Sequence, residues 1–204
     1  MRSGKNGPLF LFMSERPWFN LVRRKFMRKI AYSGTEGAFA HVAARRLFPD
    51  ELHVACKNFR EAYDAVEKGE CDLAVLPVRN SYAGEVKEVN DMLAEGGLVV
   101  KEEYDLPIVQ NLLGIRGSRI SDIKTVISQH KALEQCDGYI REHGYNVIES
   151  VNTAVAAKEI IAGSDMSVAA IASLETAAIY GLKVLDEKIN ETDDNITTFA
   201  VVSR

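Results

Sequence analysis

A repeated alternation constrains this chain more than any other feature. From residue 29 to the end, short apolar strands and helices take turns, twice over. Residues 29–33, 52–56 and 71–78 read as strands. Residues 38–48 and 58–68 read as helices, with Phe39, Val42, Ala43 and Leu47, then Phe59, Ala62, Tyr63 and Val66, in helical phase. A third helix is expected at 86–94, after a polar turn at 79–84. Strand 71–78 (CDLAVLPV) is almost wholly apolar, as in a sheet covered on both faces. Residues 98–115 read as one long strand bent at Pro107, able to cross from one lobe to another. The alternation then resumes, with strands at 125–128, 147–150, 168–173 and 182–189 and helices at 131–143, 153–162 and 174–180. Strands separated by single helices imply parallel βαβ units. Two such runs joined by long strands predict an α/β fold of two lobes with the site in the cleft between them. The first lobe is expected at 27–105 plus 190–204, the second at 106–189.

The last strand, 196–202, is entered from the polar turn Asp193-Asp194-Asn195. It must slot back into a sheet built earlier, so it can carry Thr197 and Thr198 to a site made by the rest of the chain. Successive strand residues face opposite sides, so only one of the two can point into a given cleft. The plain alternative is that both are ordinary strand threonines.

Composition narrows the function. The chain has 204 residues, 47% hydrophobic and 26% charged, which is ordinary globular usage. A net charge of −4 supplies no whole-chain field for nucleic acid. Cys56, Cys71 and Cys136 are scattered and odd in number, suggesting neither a zinc site nor a disulfide framework, and a reducing compartment fits them. His41, His53, His130 and His143 lack metal-pair spacing. No apolar run reaches membrane-spanning length. No metal, nucleic acid or membrane is therefore expected. Residues 1–26 carry Arg2, Lys5, Arg16, Arg23, Arg24 and Lys25 with Trp18, Phe19 and Phe26. Their apolar run at 8–13 is too short for a targeting segment and no cleavage site follows it. They read as an upstream extension or the tail of a preceding domain, disordered or loosely attached.

Several loops can bind anions. The helix starts at 34–38 and 152–154 offer free N–H groups to carboxylates or phosphates. No Gly-x-Gly-x-x-Gly or Gly-Lys-Ser motif points to nucleotides. Asn80 and Ser81 follow a strand's carboxyl end, where a plain turn is the alternative. Ser128 and Gln135 flank a strand-to-helix junction, where Ser128 has the alternative of a cap. Cys136 reads as core, and His41 and His130 as capping or surface residues.

Together these loops resemble the prephenate dehydratase family. Ala31 to Phe39 (AYSGTEGAF) resembles its Gly-Pro-x-Gly-(Thr/Ala)-(Phe/Tyr) loop, and Leu76 to Gly84 (LPVRNSYAG) its Pro-Ile-Glu-Asn-Ser-x-x-Gly segment. Leu106-Pro107-Ile108 matches its Leu-Pro-Ile. Ser128 to Cys136 resembles Ser-His-Pro-Gln-Ala-Leu-x-Gln-Cys, and Asn152-Thr153-Ala154 with Ala156-Ala157 resembles Ser-Thr-Ala-x-Ala-Ala. Ala169 to Ser173 with Tyr180-Gly181-Leu182 follows, and Asn195 to Phe199 resembles Asn-x-Thr-Arg-Phe.

The resemblance implies two lobes of the kind seen in periplasmic solute receptors and a cofactor-free, cytoplasmic, homodimeric lyase. It would convert prephenate to phenylpyruvate, losing water and carbon dioxide, for phenylalanine synthesis. Thr197 would be the proton donor, acting as a positioned hydrogen-bond donor because threonine is a feeble acid. Asn80, Ser81, Ser128, Gln135, Thr198 and Phe199 would bind or orient substrate. The loops at Ala38, Phe39, Thr153 and Ala154 would offer N–H groups to its carboxylates. The chain departs from the family at Thr198, where Arg is usual, at Arg79 for Glu, at Gln129-His130-Lys131 for His-Pro-Gln, and at Gln110 for His. Arg79 is expected to restore part of the cationic charge lost at Thr198, as its neighbour across the cleft. The sequence stops where the family's phenylalanine-sensing domain would begin, and no chorismate mutase domain precedes it; either it is a piece of a longer protein or it is a form without that feedback. Three readings stay open: a dehydratase of prephenate or arogenate, a binder of small carboxylates, and a non-catalytic interaction module.

Overall fold

The structure is a computed structural model and describes residues 27–204. The expected looseness of residues 1–26 lies outside the described residues. In chain order the first lobe runs β1 (Lys29–Ser33), α1 (Phe39–Leu47), β2 (Leu52–Cys56), α2 (Phe59–Glu67), β3 (Leu73–Asn80), β4 (Gly84–Glu85), α3 (Lys87–Glu95) and β5 (Val99–Pro107). The second runs β6 (Asn111–Gly114), β7 (Thr125–Ser128), α4 (His130–Glu134), α5 (Asp137–His143), β8 (Asn146–Glu149), α6 (Thr153–Gly163), β9 (Val168–Ala172), α7 (Leu174–Tyr180) and β10 (Lys183–Asp186). β11 (Ile196–Ser203) returns to the first lobe.

The first sheet has the order β2-β1-β3-β11-β5, with β4 hairpinned onto β3. The second has the order β10-β6-β9-β7-β8. β1 pairs in parallel with β2 and β3, and β7 with β8 and β9. The expectation of parallel units holds for these strands only. β11 runs antiparallel to β3 and β5, and β6 antiparallel to β9 and β10. β6 and β11 are the strands entered from a chain crossing, and each enters its sheet reversed.

Both sheets bury both faces. On the first, Ala74, Leu76, Ala200 and Val202 pack with Ala62, Tyr63, Val66, Val89 and Met92 of α2 and α3. The opposite face sets Val75, Phe199 and Val201 against Ala40, Val42 and Ala43 of α1. Burying Phe199, Val201 and Val202 contributes about 1.5–3 kcal/mol each, enough to pull the last strand between two others. In the second lobe Leu112, Val126 and Ile171 face Leu133, Cys136 and Ile140, and Ala170 faces Ala156, Ala157 and Ile160 of α6. Cys136 is core, as its apolar phase indicates, and burial pushes its thiol up to about 12.

Beyond small shifts of bounds, β3 lies two residues later than the sequence reading, taking in Arg79 and Asn80, β4 was not expected, and three elements break or stop short. The stretch 98–115 breaks into β5 and β6 at Gln110, whose N–H turns to Asn190 Oδ1 at 2.7 Å and whose carbonyl accepts Ile189 N–H at 2.9 Å. Helix 131–143 breaks in two because the Gln135 carbonyl accepts Glu191 N–H at 2.9 Å. The strand expected at 182–189 ends at Asp186, where Asp186 Oδ1 takes Glu187 N–H and Lys188 adopts φ 54°.

The two crossings, 108–110 and 187–195, are bonded to each other. Asn190 Oδ1 accepts Gln110 N–H at 2.7 Å, Asn190 Nδ2 donates to Ile108 O at 2.8 Å, and Ile189 N–H donates to Gln110 O at 2.9 Å. Across the cleft, Thr176 Oγ1 donates to Gly37 O at 2.8 Å and Tyr180 to Glu36 O at 2.6 Å, while Arg46 pairs with Glu175. Gly37 has φ +88°, and a Cβ there would lie 3.2 Å from Tyr180 and 3.3 Å from Thr176. Glycine is required by both the angle and the close approach.

The Gly37 loop is also held by His41, whose Nδ1 accepts Gly37 N–H at 3.0 Å. Burial, helped by His53 and Arg45, pushes the imidazole down from 6.5 to about 4. The unfolded chain takes up this proton near pH 6.5 and the folded chain only near pH 4. Between those values the unfolded state binds more protons, so stability falls as pH falls. The contribution is complete above pH 6.5, and up to about 3 kcal/mol is lost by pH 4. Urea unfolding across this window should show the fall in the wild type and a shallower one in His41→Gln, which keeps an acceptor for Gly37 but cannot titrate.

Candidate active site

The arrangement at the mouth of β11 starts from one amide. Asn80, at the end of β3, pairs with Thr197 in the register of β11. Its Oδ1 accepts the backbone N–H groups of Tyr82 at 3.0 Å and Ala83 at 2.9 Å. Those two donors fix which end of the amide faces which way. Nδ2 therefore faces β11 and donates to Asn195 Oδ1 at 2.8 Å, Thr197 Oγ1 at 3.0 Å and Ile196 O at 3.2 Å. An amide nitrogen cannot accept, so the Thr197 oxygen receives this proton and keeps its own O–H proton free to donate.

Thr197 and Thr198 point to opposite faces. Thr197 lies on the side of Phe199, Val201 and its cross-strand neighbour Leu106, the side that α1 covers. Thr198 is buried on the other side, where it donates to Asp105 Oδ1 at 2.6 Å and accepts from Arg79 Nη2 at 3.3 Å. Arg79 and Thr198 are cross-strand partners, neighbours within one sheet rather than across the cleft. A bulge lies just beyond: Val78 is the extra residue of β3 between the pairs Thr198–Arg79 and Phe199–Pro77. Pro77 has no N–H to give the ladder, so the break falls beside it. Such a bulge re-aims the strand's end.

The helix starts come next. Ala38 is the N-cap of α1 and has no side-chain cap bond, so the N–H groups of Phe39 and Ala40 have no protein acceptor among the described residues. Asn152 caps α6 through Val155 N–H at 2.8 Å, leaving Thr153 and Ala154 N–H without one among the same residues. A Cβ on Gly37 would lie 3.4 Å from Ala154, so the two starts adjoin. Phe39 and Leu106 also line an interlobe cavity of about 180 Å³, with Arg46, Ser173 and Leu174.

Other expected site residues are spent on structure. Ser128 is fully buried and donates to Ile171 O at 2.6 Å, tying β7 to β9. It has no proton left to offer, and it caps no helix. Ser81 Oγ donates to Asp194 O at 2.9 Å and accepts Ile196 N–H at 3.0 Å. Phe199 is core. Gln135 ends α4 half-buried, held through its backbone. Of the departing residues, His130 is exposed between Glu134 and Glu149, and its bond to Glu149 raises its pKa. No group of three His, Cys, Asp or Glu that could hold a metal occurs among the described residues.

Three residues to which sequence reasoning gave no role in the site belong to this arrangement. Tyr82 bonds Thr192 and Asp194, and these bonds hold the Asp194 carboxyl below its usual range. Asp105 anchors Thr198. Asn195 accepts from Asn80, while its own Nδ2 is buried without a partner among the described residues. A donor left this way costs about 1–3 kcal/mol. The signals for Asn195 were its place in the turn ahead of the last strand, where asparagine is common for local reasons, and its match to the first residue of Asn-x-Thr-Arg-Phe.

Comparison with known proteins gives one family. The family model for prephenate dehydratase matches residues 30–204. Arogenate dehydratase/prephenate dehydratase 1 of Arabidopsis thaliana, chloroplastic, is 37% identical over 176 residues, covering 86% of this chain and 45% of that protein. The crystal structure of prephenate dehydratase from Arthrobacter aurescens in complex with L-Phe aligns with TM-score 0.79 and 31% identity, covering 86% of this chain and 60% of that one. The structure of GqqA, described as a novel type of quorum quenching acylase, aligns with TM-score 0.81 and 32% identity over 87% and 64%. The chain spans about half the length of the curated relatives it matches.

The Asn80 amide should matter to folding as well as to the site. Asn80→Ala strands the N–H groups of Tyr82 and Ala83 at the surface and the Asn195 oxygen within. Urea unfolding should show a loss of about 1–2 kcal/mol, with faster amide exchange confined to residues 81–83 and 195–197.

Proposed function

The chain belongs to the prephenate dehydratase family, and on that footing we propose that it converts prephenate to phenylpyruvate with loss of water and carbon dioxide. One observation carries the reading: the Asn80 amide makes Thr197 a hydrogen-bond donor. Prephenate is a dianion whose ring hydroxyl must leave. As its C–O bond breaks, the ring carboxylate's C–C bond supplies the electron pair that completes the aromatic ring. Carbon dioxide departs, and one proton joins the hydroxyl to give water. Thr197 donates its hydrogen bond to that oxygen, and solvent supplies the net proton. A fixed donor in a partly dry site stabilises the charge that builds there without reorganising. The N–H groups of Phe39, Ala40, Thr153 and Ala154 hold the carboxylates at two adjoining helix starts.

Thr198 and Arg79 contribute from the other side of the sheet. Arg79 and Asp105 grip the Thr198 hydroxyl, and so set the angle of Thr197 beside it. In the family pattern that position holds Arg opposite Glu; here Arg stands on the other strand. The same reading makes the protein a cytoplasmic homodimer, and three buried free thiols suit a reducing compartment. No helix among the described residues is long and apolar enough to cross a membrane.

The assay mixes purified protein with prephenate, and separately with arogenate, and follows the aromatic product. Turnover of prephenate above the spontaneous rate is expected. Thr197→Val keeps the branched shape and removes the O–H, so kcat should fall about 100-fold or more, while Thr197→Ser retains much of it. A wild-type rate in the Val variant overturns the reading. Thr198→Arg alone sets two cations side by side and should lower both turnover and melting temperature. Adding Arg79→Glu should restore both, as coupled neighbours require.

A further inference from the structure

Asn195 carries a second donor to the same place, an inference that rests on the reading above. Its side chain is 2% exposed, and its orientation is not free. Asn80 Oδ1 is taken by two backbone N–H groups, so Asn80 turns Nδ2 toward Asn195, which must answer with Oδ1 at 2.8 Å. Asn195 Nδ2 is thus a donor of settled identity, buried and without an acceptor among the described residues. Buried donors are seldom left so. The adjoining crossing holds a buried acceptor in the same condition, Gln110 Oε1. The two side chains do not bond each other, although Ile108 N–H bonds the Asn195 carbonyl at 2.8 Å. The chain therefore keeps a donor unspent beside Thr197, and one nitrogen of Asn80 touches both residues.

We propose that Asn195 Nδ2 donates to the leaving oxygen of the substrate that Thr197 also addresses. Charge grows on that oxygen as its bond to the ring breaks, and two fixed donors meet it better than one. Asn195 is then a catalytic residue, and Asn80 is the positioning residue that orients both donors.

Asn195→Asp tests this, because it keeps an acceptor for Asn80 and removes only the donor. At neutral pH kcat for prephenate should fall about 100-fold, with KM within about threefold and the melting temperature little changed. As pH falls through the titration of the new carboxyl, its protonated form supplies an O–H, and the rate relative to wild type should recover. A purely structural asparagine would not produce that profile, and a wild-type kcat overturns the inference. Should the variant fail to fold, the Asn195 side-chain amide resonance is followed in Thr197→Val as prephenate is added. A shift at saturation supports the bond, and an unmoved resonance overturns it. Failure of the dehydratase reading looks different: the wild type then forms no phenylpyruvate, and the inference falls with it. Failure of the inference alone leaves wild-type turnover intact.

Discussion

The site depends on two backbone N–H groups meeting one side-chain oxygen. Tyr82 and Ala83 pin the Asn80 oxygen, and everything beyond it follows from hydrogen-bond sense. The Asn80 nitrogen has to donate, so Thr197 and Asn195 have to accept on the atoms they present. A hydroxyl has one proton, and accepting one from Asn80 leaves it unspent. No ionised group is needed to make Thr197 a donor. On the proposed reading the residue placed for proton donation is a weak acid, and its donor sense comes from a neighbour fixed by main chain.

The lobes hold that neighbour in place. Asn80 ends β3 and Thr197 begins β11, strands that are distant in sequence and adjacent in the sheet. β11 reaches its slot only after the chain has built the second lobe, so the two crossings determine where the site forms. Their mutual bonds, through Asn190, Ile108 and Gln110, tie the two passages into one ribbon. At the other side of the cleft, Thr176 and Tyr180 grip the Gly37 loop and set the start of α1 beside that of α6. A cleft tied at both ends presents its free N–H groups at a fixed spacing, which suits a substrate carrying two carboxylates.

Much of this is legible in the sequence, and the exceptions have physical reasons. Periodicity locates β1, β2, β7 and α7 to the residue, because their apolar pattern and turn chemistry agree. The return of the last strand into the first sheet follows from its apolar run. Periodicity does not give strand direction, since β6 and β11 would read the same either way round. It does not see the break at Gln135 either, because a carbonyl given to Glu191 leaves no trace in local composition. In the site, the family pattern brings out Asn80 and Thr197. The same pattern also selects Ser128 and Phe199, whose atoms are used within the fold. The pattern includes Asn195 without giving it a role, and the role proposed for it rests on a bond to a residue 115 positions earlier. Arg79 and Thr198 were expected to adjoin; only the register shows that they do so within one sheet, beside Asp105.

The most direct measurement is the turnover of prephenate by Asn80→Asp. The carboxylate still accepts from Tyr82 and Ala83, so the turn keeps its shape, which circular dichroism and melting temperature can verify. Its second oxygen faces Thr197 as an acceptor and takes the proton that, on the proposed reading, Thr197 gives to the substrate. The account predicts an intact fold with kcat reduced about 100-fold or more. A folded variant turning over at the wild-type rate would contradict it, because the donor sense of Thr197 would then owe nothing to Asn80.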